Sequence, residues 1–316
     1  MDSSENAKRR WWTTRLLSLG RARYRNLLLL LLLGTLWGSS YLFIKVTVAE
    51  VPALTLVSVR LAVASIVLQL VLRARGHAMP RSGQMWRVYA LLGLFGAAIP
   101  YSLISWGEQY ISSGLASLLQ ATTPIFTVLL ATFVTDEEGI TPTKIAGVAI
   151  GFAGVGLLIL PDLRQGMRAN LLGQLAIIGS SLCYAWTALY ARSRLRGQRP
   201  LVSATGQLTM GAAFALPASL LVDRPFDLSP SHQALASWLG LIVFGTILAY
   251  GIYFTLIEWT SATFATMVTY IIPVNGLILG ALVLSEPLSA GVLGSLALIL
   301  LGALLVRSER GGSDES

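Results

Sequence analysis

The chain has 316 residues, of which 54% are hydrophobic and 12% charged, with a formal net charge of +8. A soluble domain carries roughly 25% charged residues, so this composition excludes a water-facing surface over most of the length and points to one that faces lipid. A single cysteine, Cys183, excludes an intrachain disulfide, and His77 and His232, far apart with no Cys/His cluster at ligand spacing, give no basis for a zinc site.

In chain order, the basic N-terminus is followed by an apolar run from Leu27 that is too long for a signal-peptide core and lacks a small-residue cleavage site. It reads as a retained transmembrane helix. About 20 apolar residues are needed to cross the hydrocarbon core, and ten segments qualify: 27–48, 53–72, 88–107, 111–134, 141–160, 171–191, 201–222, 235–257, 262–284 and 288–306. Of the 23 basic residues, placing the N-terminus in the cytoplasm puts 18 on the cytoplasmic side, three outside (Arg164, Arg168, Arg224) and two, Lys45 and Arg60, within helices. That bias fits the positive-inside rule and accounts for the net charge without nucleic acid. The expectation is an all-α polytopic protein of the inner (plasma) membrane with both termini cytoplasmic. The tail before helix 1, with Trp11, Trp12 and interspersed arginines, reads either as an interfacial helix or as a topogenic segment.

Self-comparison reveals a repeat. At an offset of 149, Gly96 falls on Gly245, Tyr101 on Tyr250, Ala116 on Ala265 and Pro124 on Pro273; at 148, Glu138 falls on Glu286; at 147, Trp37-Gly38 falls on Tyr184-Ala185 and Lys45 on Arg192. The predicted organisation is a basic tail (1–26), a first five-helix unit (27–160), a second (171–306) and a C-terminal tail (307–316). Five is odd, so the second unit enters the membrane from the opposite side. Inverted repeats of this kind are common in secondary transporters, with the substrate site near the midplane.

Several residues stand out within the apolar segments. Arg60, in VSVRLA, lies about 10 Å along helix 2 at 1.5 Å per residue. A charge at that depth costs about 2.5–3.5 kcal/mol on insertion scales, so it either meets an anionic group or bonds loop carbonyls. Lys45 can snorkel from the outer end of helix 1. Trp37, Gly38, Ser39, Ser40 and Tyr41 form a small, polar, aromatic patch, a packing seam or a cavity wall. Pro124 and Pro273 break hydrogen-bond ladders in helices 4 and 9, and Gln120, Thr122, Thr123, Tyr270 and Asn275 could serve the freed groups. Tyr101 and Tyr250 could line the same space. Gly147-x-x-x-Gly151 and Gly276-x-x-x-Gly280 suit close helix packing within the chain. Glu108 and Glu258, one register position apart, end helices 3 and 8, where a carboxylate is either a solvated boundary group or a proton-coupling one. Asp136, Glu137 and Glu138 read as a solvated turn. No ATPase phosphate loop, nucleophile elbow or metalloprotease motif occurs.

The segments LWGSSYLFIK (36–45), the Arg60 stretch, SSGLASLLQATTPIF (112–126), the run 138–156 and a second copy centred on Pro273 and Glu286 resemble EamA-type members of the drug/metabolite transporter superfamily. The resemblance covers residues 27–306. It implies ten helices as two inverted five-helix repeats, and export of a small metabolite, amino acid or drug. It implies a cavity lined by helices 1, 3, 4, 6, 8 and 9, where Trp37, Tyr41, Tyr101, Gln120, Thr123, Tyr184, Trp186, Tyr250, Tyr270 and Asn275 fall. Arg60, on helix 2, becomes a packing or gating residue. The second copy has Gln207 as its nearest polar residue, which argues against a symmetric role. The expected partners are a small-molecule solute, membrane lipid and, as one candidate coupling ion, the proton, with no catalytic residue, cofactor or metal. An integral-membrane enzyme or a scaffold is the alternative.

Overall fold

The structure is a computed structural model that describes residues 3–134, 141–260 and 262–308, without the side chains of 3–23, 133–134, 262–263 and 307–308. The turn containing Asp136, Glu137 and Glu138 lies outside the described residues. Every described element is helical: α1 (Ser3–Val48), α2 (Ala53–Ala74), α3 (Gly83–Gly93), α4 (Ile99–Gly107), α5 (Ser113–Gln120), α6 (Thr123–Val134), α7 (Pro142–Gln165), α8 (Arg168–Arg194), α9 (Pro200–Val222), α10 (His232–Ile242), α11 (Ala249–Trp259), α12 (Ala262–Ala265), α13 (Val268–Leu284) and α14 (Ala290–Ser308). Among the described residues, eight helical segments are long and apolar enough to cross a membrane, and two shorter apolar helices follow at Val268–Leu284 and Ala290–Val306. This is a multi-pass membrane protein.

Local sequence explains the ends of the helices. Thr141 caps α7 by accepting from the Lys144 amide at 3.3 Å, Pro142 opens the helix, and Gly166, at φ 68°, closes it in the left-handed region that other residues avoid. Glu286 is an unusual cap because it comes from a distant segment. Its Oε1 accepts from the Ser113 amide at 2.7 Å and its Oε2 from the Gly114 amide at 2.9 Å, at the start of α5.

Four of the ten predicted helices are not single α-helices. Predicted helix 3 consists of α3 and α4 joined by a π-helical turn, Leu94–Ala98, and predicted helix 8 of α10 and α11 joined by another, Val243–Leu248. The two π turns start 149 residues apart, the same offset that aligns Tyr101 with Tyr250. Predicted helix 4 breaks between α5 and α6 at Ala121–Thr122. Pro124, the second residue of α6, has no N–H for the Gln120 carbonyl, which accepts instead from Thr123 Oγ1 at 2.8 Å, while Thr122 Oγ1 donates to the Leu119 carbonyl at 2.7 Å. Predicted helix 9 breaks at Thr266–Met267, whereas Pro273 lies inside α13.

Close helix contacts rest on small residues. A Cβ at Gly302 of α14 would lie 2.5 Å from the Gly147 carbonyl oxygen and 2.7 Å from the Gly151 amide nitrogen of α7. One at Gly38 of α1 would lie 2.7 Å from Asn275 Cβ and 3.1 Å from the Ile272 carbonyl of α13. Between α2 and α9 the contact is a polar ladder: Ser65 and Thr209 hydroxyls at 2.9 Å, Thr55 and Ser219 hydroxyls at 3.0 Å, and the Thr55 amide and hydroxyl donating to Asp223 Oδ2 at 2.7 and 2.8 Å. With little hydrophobic drive between helices in lipid, such packing and hydrogen bonding carry the association.

A connecting segment is tethered by charge. The Ser231 amide donates to Glu50 Oε2 at 2.6 Å and the Ser231 hydroxyl to Oε1 at 2.7 Å, and these bonds, the amide first, hold the carboxyl below its usual range. A lowered folded value means the tether contributes fully above the unfolded carboxylate range and is lost as pH falls through the lower folded value. Acidification through that window is expected to speed hydrogen exchange at the Ser231 amide, and Glu50→Gln is expected to remove the pH dependence.

Candidate functional site

The first and second halves of the chain meet at an aromatic seam. Tyr101 of α4 and Tyr250 of α11 face each other with hydroxyls 3.3 Å apart. Trp37 of α1 packs edge-on against Tyr250 at 6.1 Å between ring centroids, and Tyr184 of α8 packs edge-on against Tyr101 at 6.5 Å. Trp37 matches Tyr184 in the repeat and Tyr101 matches Tyr250, so the two contacts are counterparts about the tyrosine pair. Trp37 also touches Tyr253 at 5.4 Å. Tyr41 and Tyr101 are 7% and 8% exposed, so the seam is closed around them, while Trp37, Tyr184 and Tyr250 are half-buried.

Arg60 reaches the seam from α2. Its guanidinium lies 4.2 Å from the Tyr101 ring centroid, Nε donates to Thr246 Oγ1 at 2.8 Å, and Nη2 donates to the Gly245 carbonyl at 3.4 Å. Both acceptors belong to the second π turn. Gln207 of α9 does the corresponding thing at the first: its Nε2 donates to the Gly96 carbonyl at 3.0 Å. That carbonyl has no α-helical donor four residues on, because Pro100 has no N–H. The expectation that Arg60 has no symmetric counterpart is therefore corrected. The two side chains differ in charge, yet each supplies a donor to a π turn, at carbonyls 149 residues apart.

The remaining candidates divide. Gln120 donates to Thr123 Oγ1 and Ser181 Oγ, each at 3.0 Å, and accepts from Ser180 Oγ at 2.7 Å, joining α5 to α8. Asn275 Nδ2 donates to the Ile271 carbonyl at 3.2 Å, and its Cβ lies against Gly38. Trp186 makes its ring contacts with Phe95 and Tyr190, at 5.0 and 4.9 Å. Tyr270 donates to the Ala303 carbonyl of α14 at 3.3 Å. These contacts of Trp186 and Tyr270 lie away from the tyrosine pair. Lys45 Nζ donates to the Glu108 and Ile111 carbonyls at 2.6 and 2.8 Å, closing the C-terminal end of α4. A groove of about 520 Å³ lies between α2, α4 and α9, beside Leu94, Ser102, Trp106 and Phe214, and a smaller one of about 300 Å³ lies beside Arg75, His77, Arg199 and Glu258. Neither is lined by a residue of the seam.

The profile of the EamA-like transporter family matches the chain twice, over residues 25–160 and 171–308. The chain belongs to the EamA-like transporter family. Among its relatives, an uncharacterized transporter of Archaeoglobus fulgidus is 28% identical over 90% of this chain and 99% of its own length. The uncharacterized inner membrane transporter YedA of Escherichia coli K12 is 29% identical over 90% of this chain and 92% of its own. Protein PecM of Dickeya dadantii is 25% identical over 86% and 88%. One crystal structure shares the fold at a TM-score of 0.63 and 20% identity, covering 92% of this chain and 99% of that one.

Within this EamA-type chain, sequence reasoning missed the two π turns and the use of Gln207. Pro100 was the available signal for the first, since a proline four residues after Gly96 leaves a carbonyl that a neighbouring helix must serve. Removing one seam hydroxyl is expected to cost about 1 kcal/mol. Tyr101→Phe and Tyr250→Phe should each show that loss in thermal unfolding, and the double variant should show no more than either single one, since both delete the same bond.

Proposed function

We propose that this EamA-type protein is a secondary transporter that exports a small amphipathic solute by alternating access. In this reading the chain spans the inner membrane ten times, as two inverted five-helix repeats with both termini cytoplasmic. The observation that carries it is the paired geometry of the seam. Trp37 on Tyr250 corresponds to Tyr184 on Tyr101, and Arg60 at Gly245 corresponds to Gln207 at Gly96, about the Tyr101–Tyr250 pair. Two halves that make the same contacts from opposite sides can exchange roles when one rocks against the other, which is the geometric requirement for alternating access. The aromatic faces and hydroxyls suit a solute with an apolar body and a polar group. A solute or proton gradient supplies the energy.

Flux measurement in proteoliposomes against a panel of metabolites, with and without a pH gradient, tests transport directly. Saturable counterflow of at least one amphipathic solute is expected, and absence of flux across the panel together with product formation in detergent would replace the transporter with an enzyme. Orientation is tested in a Cys183→Ser background. Arg196→Cys should react only with reagents in the cytoplasm and Arg224→Cys only with reagents outside; the reverse pattern overturns the inverted arrangement.

A further inference from the structure

Glu108 is the one charge near the seam whose own carboxylate is unmatched. It is 0% exposed, and neither carboxylate oxygen has a hydrogen-bond partner among the described residues. The Ser105 hydroxyl, also 0% exposed and also without a partner, lies three residues before it, on the same face of the chain's turn at the end of α4. An ionised carboxylate stripped of water and of donors costs several kcal/mol, whereas the neutral acid costs far less.

The surrounding charges are committed elsewhere. Lys45 of α1 acts on Glu108 electrostatically, but its ammonium bonds the Glu108 and Ile111 carbonyls. Arg60 of α2 is held by Thr246 and Gly245. Glu286, after α13, faces Glu108 as a like charge and has both oxygens taken by the Ser113 and Gly114 amides. Of the phenols, Tyr41 of α1 interacts electrostatically with Glu108 and with Tyr101 of α4, on which Tyr184 of α8 packs. α8 approaches closely here, since a Cβ at Gly107 would lie 2.8 Å from the Gly173 carbonyl. Glu258, the residue one register position from the repeat counterpart of Glu108, is exposed.

We propose that Glu108 is a proton-binding site that couples the outer pH to the closing of the seam. With the seam closed, as here, the side chain is the neutral acid. When the outer end of the seam opens, water reaches the carboxyl, its O–H bond gives the proton to that water, and the carboxylate remains. Acid on the outer side then favours the closed form, because each closure takes up one proton. The placement of Glu108 at the outer end rests on the orientation proposed above.

Two measurements on the full-length protein in liposomes test this without knowledge of the solute. Dicyclohexylcarbodiimide, which attacks protonated carboxyl groups in apolar surroundings, should modify Glu108 in the wild-type protein, read by peptide mass spectrometry, with a yield that falls as pH rises. Glu50 and Glu258 should stay unmodified. In a Cys183→Ser background, Ser105→Cys should react with an impermeant maleimide from outside at a rate that, relative to Gln109→Cys on the exposed turn, falls on acidification by at most about tenfold per pH unit for one linked proton. Adding Glu108→Gln should make that ratio independent of pH. Absence of Glu108 modification at every pH, or an unchanged pH dependence of the ratio in the Gln variant, overturns the proposal. If carbodiimide marks Glu108 and the ratio responds as stated but no solute moves, the proton site stands and the transporter reading falls. Solute flux with no modification of Glu108 leaves transport standing and removes the proton site.

Discussion

Gly302→Leu is expected to prevent α14 from seating on α7, with a loss of about 3 kcal/mol or more of stability or outright failure to assemble. The added Cβ would meet the backbone of α7, at 2.5 Å from the Gly147 oxygen and 2.7 Å from the Gly151 nitrogen. Side chains can swing aside at modest cost, but a helix backbone must translate, and with it every contact along the pair. Gly294 lies on the same helix, and a Cβ there would meet nothing within 4 Å, so Gly294→Ala is expected to be neutral or to stabilise by roughly 0.5–1 kcal/mol through helix propensity. Thermal unfolding and size-exclusion profiles of the two variants in one detergent make the comparison. Equal behaviour of the two would show that the α7–α14 contact does not depend on backbone proximity.

Arg60→Met is expected to abolish transport while leaving thermal stability within about 2 kcal/mol. The variant loses hydrogen bonds to Thr246 and Gly245 and the stacking on Tyr101. The 2.8 Å charged bond to Thr246 contributes about 1.5–3 kcal/mol, the 3.4 Å one to Gly245 little, and the aromatic face about 0.5–2 kcal/mol. Against this, a charge is no longer carried into the membrane, a relief of about 2.5–3.5 kcal/mol on insertion scales. The opposing terms are of similar size, so the fold survives while the second π turn loses its external donor. Gln207→Leu lacks the compensating relief. It orphans the Gly96 carbonyl and is expected to destabilise by about 1–3 kcal/mol. A larger stability loss in Arg60→Met than in Gln207→Leu would refute this division of terms.

The helical character and the positions of the apolar segments were legible because lipid imposes a simple rule: about 20 apolar residues for each crossing. The paired contacts at the seam were legible from Trp37, Tyr101, Gly96 and their counterparts, because residues that contact each other there keep nearly the same spacing in both stretches matched by the family profile. The π turns were not legible. A π turn adds a residue without changing the apolar pattern on either side, so Leu94–Ala98 reads like any apolar stretch. The break in predicted helix 9 was misplaced toward Pro273 because proline is a visible signal, whereas the interruption at Thr266–Met267 carries none. Among the candidates, Trp37, Tyr41, Tyr101, Tyr184, Tyr250 and Arg60 cluster at one seam, while Trp186 and Tyr270 find partners elsewhere. All of these are aromatic or polar residues on apolar helices, and such a pattern does not say which neighbour each side chain meets. The equivalence of Arg60 and Gln207 was hidden by their difference in charge, although what the fold uses in both is an N–H donor.

The two π turns also determine where the chain tolerates a change in length. In an α-helix, loss of one residue rotates everything beyond it by about 100°. Within Leu94–Ala98 or Val243–Leu248, the same loss restores ordinary winding and leaves the flanking stretches in phase with their neighbours. A single-codon deletion there would preserve the bundle yet withdraw the carbonyl that Gln207 or Arg60 grips, while leaving the gripping side chain itself in place.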